Sequence, residues 1–159
     1  VMGANETAKV LKKVIQEQFE RFLTDPYLSR KIPTYLDTTV LIKRRVEKWE
    51  REILPLVKER NGRRLRNICH SVGLLHKKLQ INEQMFFREL DFLAERLLEY
   101  KEELNLGDND IAFLVKNRKK GVALAYMESF IDDMLLSFEN GTPHRRYFSQ
   151  ILKLLKEVI

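Results

Sequence analysis

A single histidine on the apolar face of a predicted helix is the residue of this chain best placed to do chemistry. Its apolar neighbours recur at spacings of three and four, which puts them on one helical face with it: Leu65, Ile68, Cys69, Val72, Leu75 and Leu79. This residue, His76, follows Gly73 by three positions. A neutral imidazole in such a stripe is either a core residue whose N–H is satisfied locally or the axial ligand of a haem iron.

The other reactive side chains do not indicate a catalytic site. His70 and His76 are six residues apart and face different sides of a helix, and no histidine pair has the spacing of a helical zinc motif. His144 stands at a predicted helix start, where we expect it to be exposed. Cys69 is the single cysteine, which excludes an internal disulfide, and no motif makes it a nucleophile. No glycine-rich phosphate loop occurs. We therefore expect no enzyme activity from this chain, although a longer protein could carry a catalytic output domain.

Composition indicates one helical domain with a basic surface. The 159 residues are 44% hydrophobic and 33% charged, with only 6 Gly and 4 Pro, which is typical of long helices. The net charge of +6 would attract anions such as nucleic acid, anionic lipid or a carboxylated ligand. Acidic residues are interspersed and no helix-turn-helix signature appears, so nucleic-acid binding is disfavoured. No apolar run reaches the ~18 residues of a membrane span and no signal peptide opens the chain, so we expect a cytoplasmic protein.

Periodicity and helix-breaking residues predict an all-α fold of six to eight helices. No stretch alternates with the period of a strand. Pro55 is expected to kink or divide the longest early segment. Thr142 and Pro143 are expected to cap and open a final helix. The predicted helices cover 6–23, a short turn near 27–28, 34–60, 63–79, 83–104, 110–138 and 143 onwards.

Two motifs resemble those of the bacterial globin-coupled sensors. Residues 72–81 read apolar-Gly-x-x-His-x-x-x-x-apolar, as around the proximal histidine of that family, and an aromatic-rich helix follows at 85–87. The early helix of that family ends in an aromatic pair, two apolar residues and Asp-Pro, and the stretch from Gln18 to Asp25-Pro26 matches that spacing. The resemblance covers about residues 6–140.

The resemblance implies a globin-like fold with an additional C-terminal helix, and a haem b whose iron is held by His76. Residues expected to line the haem pocket, besides His76, are Cys69, Val72, Leu75, Leu79, Phe19, Phe22, Phe86, Phe87 and Leu90. Charge alone suggests Lys43, Arg44 or Lys77 as partners of the haem propionates.

The same resemblance implies a sensor rather than a carrier. Residues 1–140 would form the sensor domain, which detects a diatomic gas or a redox state. Residues 141–159 would form a C-terminal helix that begins the linker to an output domain or belongs to a homodimer interface. In this family the output domain is often a diguanylate cyclase or another enzyme of cyclic-di-GMP signalling.

One position departs from the family's pattern. Its oxygen sensors carry a tyrosine in the aromatic pair that donates a hydrogen bond to the bound gas, whereas the matching residue here is Phe19, which cannot donate. An apolar distal side favours carbon monoxide, nitric oxide or a six-coordinate resting state. The alternatives are a haem-free globin-fold domain that binds an apolar ligand such as a fatty acid, or acts as a scaffold, and a basic helical nucleic-acid-binding module.

Overall fold

The prediction of an all-α fold is confirmed. A computed structural model describes residues 4–33, 35–139 and 145–158, and within these residues the regular structure is entirely helical. The elements in chain order are α1 (Ala4–Thr24), α2 (Pro26–Ser29), α3 (Thr38–Lys48), a π-helical turn (Trp49–Ile53), α4 (Leu54–Lys58), α5 (Gly62–Lys78), α6 (Glu83–Glu99), α7 (Asp108–Glu139) and α8 (Arg145–Val158).

The long segment predicted at 34–60 is divided where proline was expected to disturb it. Asp37 begins α3, since its side chain accepts from the backbone N–H of Thr39 at 2.9 Å, so the helix starts later than predicted. The π-helical turn ends at Ile53, two residues before Pro55, which is the second residue of α4. Because Pro55 has no N–H to donate and its ring crowds the preceding turn, a wider turn accommodates it.

The helix predicted to run to Leu104 ends five residues earlier, at Glu99. Residues 100–105 form tight turns instead, closed by Asn105 with a positive φ of 54°, which asparagine tolerates better than most residues. Leu104 and Leu106 are nevertheless buried and join the core beneath α1 and α4. The apolar spacing therefore predicted the burial of Leu104 correctly. The end of the helix depends instead on the turns that close at Asn105.

Helices α5 and α7 approach most closely where each carries a glycine. A Cβ on Gly121 of α7 would lie 2.5 Å from the carbonyl oxygen of Arg66, and a Cβ on Gly73 of α5 would lie 2.8 Å from the Cβ of Ala125. Both distances are shorter than any real Cβ contact. Gly121, which on sequence alone weakens the helix prediction, is thus the residue that lets α5 rest on α7.

The core has two parts. One gathers apolar residues of α1, the α3–α4 segment, α6 and the start of α7, and the other gathers those of α5, α6, α7 and α8. In the second part Leu154 of α8 is buried and the ring of Tyr147 lies 6.4 Å from that of Phe130. The predicted cap at Thr142 and Pro143, and His144, lie outside the described residues. None of the described helices has the length and apolar character needed to span a bilayer.

Candidate functional site

A cavity of about 310 Å³ lies between α1, α2, α3, α5 and α6, with one residue of α7 on its wall. Its walls are mostly apolar and include eight of the ten residues predicted for a haem pocket: Phe19, Phe22, Val72, Leu75, His76, Leu79, Phe86 and Leu90. Ligand cavities in proteins span roughly 300–1,000 Å³, so this one is at the lower end of that range. The structure therefore brings most of the predicted residues to one place.

His76 lines the cavity, and one of its ring nitrogens is used within its own helix. Its Nδ1 lies 2.7 Å from the carbonyl oxygen of Val72. A carbonyl only accepts, so Nδ1 carries the proton and donates, which leaves the Nε2 lone pair available. Burial lowers the pKa of His76, and the charges of Arg45 and Arg118 lower it further. The imidazole is therefore held neutral and in the tautomer that coordinates a metal through Nε2.

The end of the His76 helix is tied down by two tyrosines from different parts of the chain. Tyr27 of α2 donates to the carbonyl of Gln80 at 2.6 Å, and Tyr126 of α7 donates to the carbonyl of Ile81 at 2.7 Å. Gln80 has a positive φ of 60°, which turns the chain from α5 into α6. The ring of Phe86 then meets the ring of His76 edge-on at 4.6 Å. These contacts fix the position of His76 against both neighbouring helices.

A buried amide on α1 also lines the cavity. Gln18 is only 3% exposed, and its Nε2 donates to the carbonyl of Glu89 at 3.4 Å. Its Oε1 has no hydrogen-bond partner, which is unusual for a buried polar atom. The sequence analysis missed Gln18, although it follows Leu11 and Ile15 at helical spacing and precedes Phe22 by four. That spacing was the signal that would have placed it on the buried face.

Two arginines from separate helices belong to the polar part of the wall, together with Lys31 and Glu89. Arg45 of α3 and Arg118 of α7 both line the cavity. Neither was singled out from the sequence, because each is embedded in a basic stretch that is typical of a solvated surface. The three residues that the sequence suggested as propionate partners do not line the cavity. Lys43 and Arg44 are exposed, and Lys77 lies over the ring of Phe130.

Two predicted pocket residues do not line the cavity. Cys69 is turned towards α7, because a Cβ added at Gly121 would lie 2.8 Å from the Cβ of Cys69. Cys69 is buried, and this burial raises the pKa of its thiol. Phe87 packs on the second part of the core, because one residue along a helix turns the side chain by about 100° from the direction of Phe86. Leu75 and Leu79 do line the cavity but are 56% and 37% exposed, so they form its mouth.

The other histidine of α5 is separate from this site. His70 Nε2 lies 2.8 Å from a carboxylate oxygen of Glu128 on α7, and it does not line the cavity. Within the ranges the structure describes, no group of three or more His, Cys, Asp or Glu side chains is placed to hold a metal ion. His70 therefore offers a natural comparison with His76 on the same helix.

Comparisons with protein-family models, with curated proteins and with solved structures find nothing that matches this chain. The features of this chain that bear on its function are therefore the cavity, the protonation of His76 and the charged groups around it.

Proposed function

We propose that this chain is a haem-binding sensor domain in which His76 is the axial ligand of the iron. The observation that carries the proposal is the hydrogen bond from Nδ1 of His76 to the carbonyl of Val72, which leaves the Nε2 lone pair available on a residue that lines the cavity. Histidines that bind metals typically donate their second ring N–H to a carbonyl or carboxylate in this way.

The residues around His76 suit a haem in two respects. The walls are apolar and partly aromatic, with Phe19, Phe22 and Phe86 among them, as a porphyrin face requires. Arg45 and Arg118 on the wall supply positive charge for the propionates. When bound, a haem supplies reversible binding of a diatomic gas, and the protein side chains decide which gas is held.

Phe19 makes oxygen the less favoured gas. Its ring is on the cavity wall, 5.7 Å from the ring of Phe22, and it offers no hydrogen-bond donor. We propose carbon monoxide, nitric oxide or a change of redox state as the signal, because these need no donor from that position.

A row of aromatic rings supports transmission of a signal from the cavity to the C-terminal helix. His76 meets Phe86, and from there ring centroids follow at 6.2 Å to Tyr126, 6.3 Å to Phe130 and 6.4 Å to Tyr147 of α8. We propose that a small displacement of His76 shifts this row and with it α8. An output domain, for example one of cyclic-di-GMP signalling, and a second copy of the chain would be the recipients.

The test is a hemin titration of the wild type, His76→Ala and the matched control His70→Ala. We expect the wild type and His70→Ala to bind one hemin per chain with the same Soret band. His76→Ala should lose affinity and show a displaced band, since the iron loses its protein ligand. Circular dichroism establishes that each variant folds. Equal affinity and an identical spectrum in all three would contradict the assignment of His76.

A second candidate is a haem-free cavity that holds an apolar ligand such as a fatty acid. The cavity volume favours it, because a cavity of 310 Å³ admits a flexible chain more readily than a rigid porphyrin. His76 would then be a neutral core histidine satisfied by Val72. Saturable quenching of tryptophan fluorescence by oleate, in a protein that does not take up hemin, would establish this alternative.

A further inference from the structure

Two positively charged side chains line the cavity wall, and each is partly buried. The guanidinium carbon of Arg45 is 5.7 Å from the ring centre of Phe19, and that of Arg118 is 5.1 Å from the ring centre of Trp49. Phe19 and Trp49 are 7% and 3% exposed, so each guanidinium lies against a buried ring. Arg118 also contacts the buried thiol of Cys69. Cation–π contacts of this kind stabilise a buried guanidinium only in part.

Neither arginine is matched by a carboxylate among the described residues. Three other arginines of the chain each lie within 3.1 Å of a carboxylate oxygen: Arg21 with Glu89, Arg60 with Asp110, and Arg96 with Glu17. Glu89 is the acid on the cavity wall, and Arg21 already binds it.

The two charges also destabilise each other. Burial lowers the pKa of Arg45 to about 10, and the charge of Arg118 contributes to the shift. Burial lowers the pKa of Arg118 as well. Even a partly buried charge costs free energy of folding unless a counter-charge or a hydrogen-bond acceptor compensates its lost hydration. An anionic group in the cavity would supply a counter-charge and acceptor oxygens for both arginines.

We propose that Arg45 and Arg118 form an anion-binding subsite of this cavity, which takes a carboxylate group of the bound ligand. Guanidinium groups match carboxylates in a planar, two-pronged geometry, and the apolar walls suit the rest of an amphiphilic molecule. The inference deepens the proposed function, and it rests on the cavity being a ligand site. Two sources of the carboxylate are chemically equivalent here: a haem propionate, or the head group of a long-chain fatty acid.

Two pairs of probes separate these sources. Hemin is compared with hemin dimethyl ester, in which both propionates are neutral, and oleate is compared with oleyl alcohol. Each ligand is titrated into the full chain, and the fluorescence of Trp49 is recorded. Trp49 is the single tryptophan of the chain and lies against Arg118, so its emission reports on the subsite.

The variants are Arg45→Gln and Arg118→Gln. Matched controls are Lys48→Gln on α3 and Lys116→Gln on α7, both exposed and neither on the cavity wall. Thermal unfolding followed by circular dichroism shows which variants fold. We expect the ligand-free arginine variants to unfold at the same temperature as the wild type or higher, because one of two like charges is removed.

We expect the wild type to bind at least one acid about tenfold more tightly, or better, than its neutral counterpart, as one charge-assisted contact requires. That preference should fall below about twofold in each folded arginine variant and persist in both controls. A wild type with no preference for either acid, or a preference kept in the arginine variants, overturns the subsite.

The outcomes for the two proposals are distinct. Hemin binding that depends on His76 but not on Arg45 or Arg118 overturns the subsite and leaves the haem function standing. Arginine-dependent binding of oleate without binding of hemin overturns the haem function and supports the subsite with a fatty acid as its carboxylate source. Should Arg118→Gln fail to fold, the acid preference of the wild type and of Arg45→Gln decides the question.

Discussion

The close approach of α5 to α7 predicts that Gly121→Ala destabilises the protein, although alanine is the better helix former. The new Cβ would lie 2.5 Å from the carbonyl oxygen of Arg66, whereas ordinary contacts begin near 3.4 Å, so the helices must separate by about 0.9 Å there. Overpacking of this kind costs about 1–3 kcal/mol. Replacing glycine within a helix returns about 1 kcal/mol. Because the obstacle is backbone, which cannot turn aside, we expect the overpacking cost to be at its upper end of about 3 kcal/mol, which leaves a net loss of about 2 kcal/mol.

Urea unfolding followed by circular dichroism measures this loss, and thermal unfolding should show a fall of about 4–8 °C for a chain of this length. The control is Gly107→Ala, since a Cβ there would meet only a carboxylate oxygen of Asp110 at 3.7 Å. We expect that control to change the free energy of unfolding by less than about 1 kcal/mol. A Gly121→Ala protein as stable as the wild type would refute the packing of α5 on α7 described above.

Three further predictions concern the site and its supports. Phe19→Tyr should slow oxygen dissociation from the reduced haem form, as measured by stopped-flow absorption, because it supplies a donor on the cavity wall; an unchanged rate would place the ring away from the iron. Tyr126→Phe should lower the free energy of unfolding by about 1–2 kcal/mol, because the carbonyl of Ile81 loses its 2.7 Å hydrogen bond; no loss in urea unfolding would show that the bond contributes nothing. The pKa of His76 is lower in the folded than in the unfolded chain, so the unfolded chain binds more protons and the ligand-free protein should lose stability as the pH falls below about 6.5. His76→Leu should remove that part of the slope, and equal slopes in both proteins would contradict a buried neutral imidazole.

Helical periodicity was sufficient to predict the class of the fold and the part of the cavity wall that comes from the end of α5. Spacings of three and four identified the buried face of α5 and put Val72 and His76 on it, and both line the cavity. The proline at position 55 was expected to kink or divide the long segment at 34–60, and the π-helical turn before it does so. These features are local, and they follow from residue spacing and backbone chemistry.

The charged part of the site was not predictable in the same way. Arg45 belongs to a run of three basic residues, Lys43 to Arg45, of which only the last turns inward. Whether a charged side chain is buried depends on the helix that packs against it, which a single sequence does not specify. The prediction for Cys69 failed for the same reason. Cys69 shares the apolar face of α5, but the close approach of Gly121 means that it packs against α7 and does not line the cavity. The globin-like arrangement of the helices stays a prediction.

The central claim is that His76 and its cavity bind haem, and absorption spectroscopy of the wild-type chain with hemin tests it most directly. We predict a titration that saturates at one hemin per chain, with a Soret band that moves on reduction and again on addition of carbon monoxide. A linear, unsaturable titration whose spectrum matches free hemin in every state would contradict the claim.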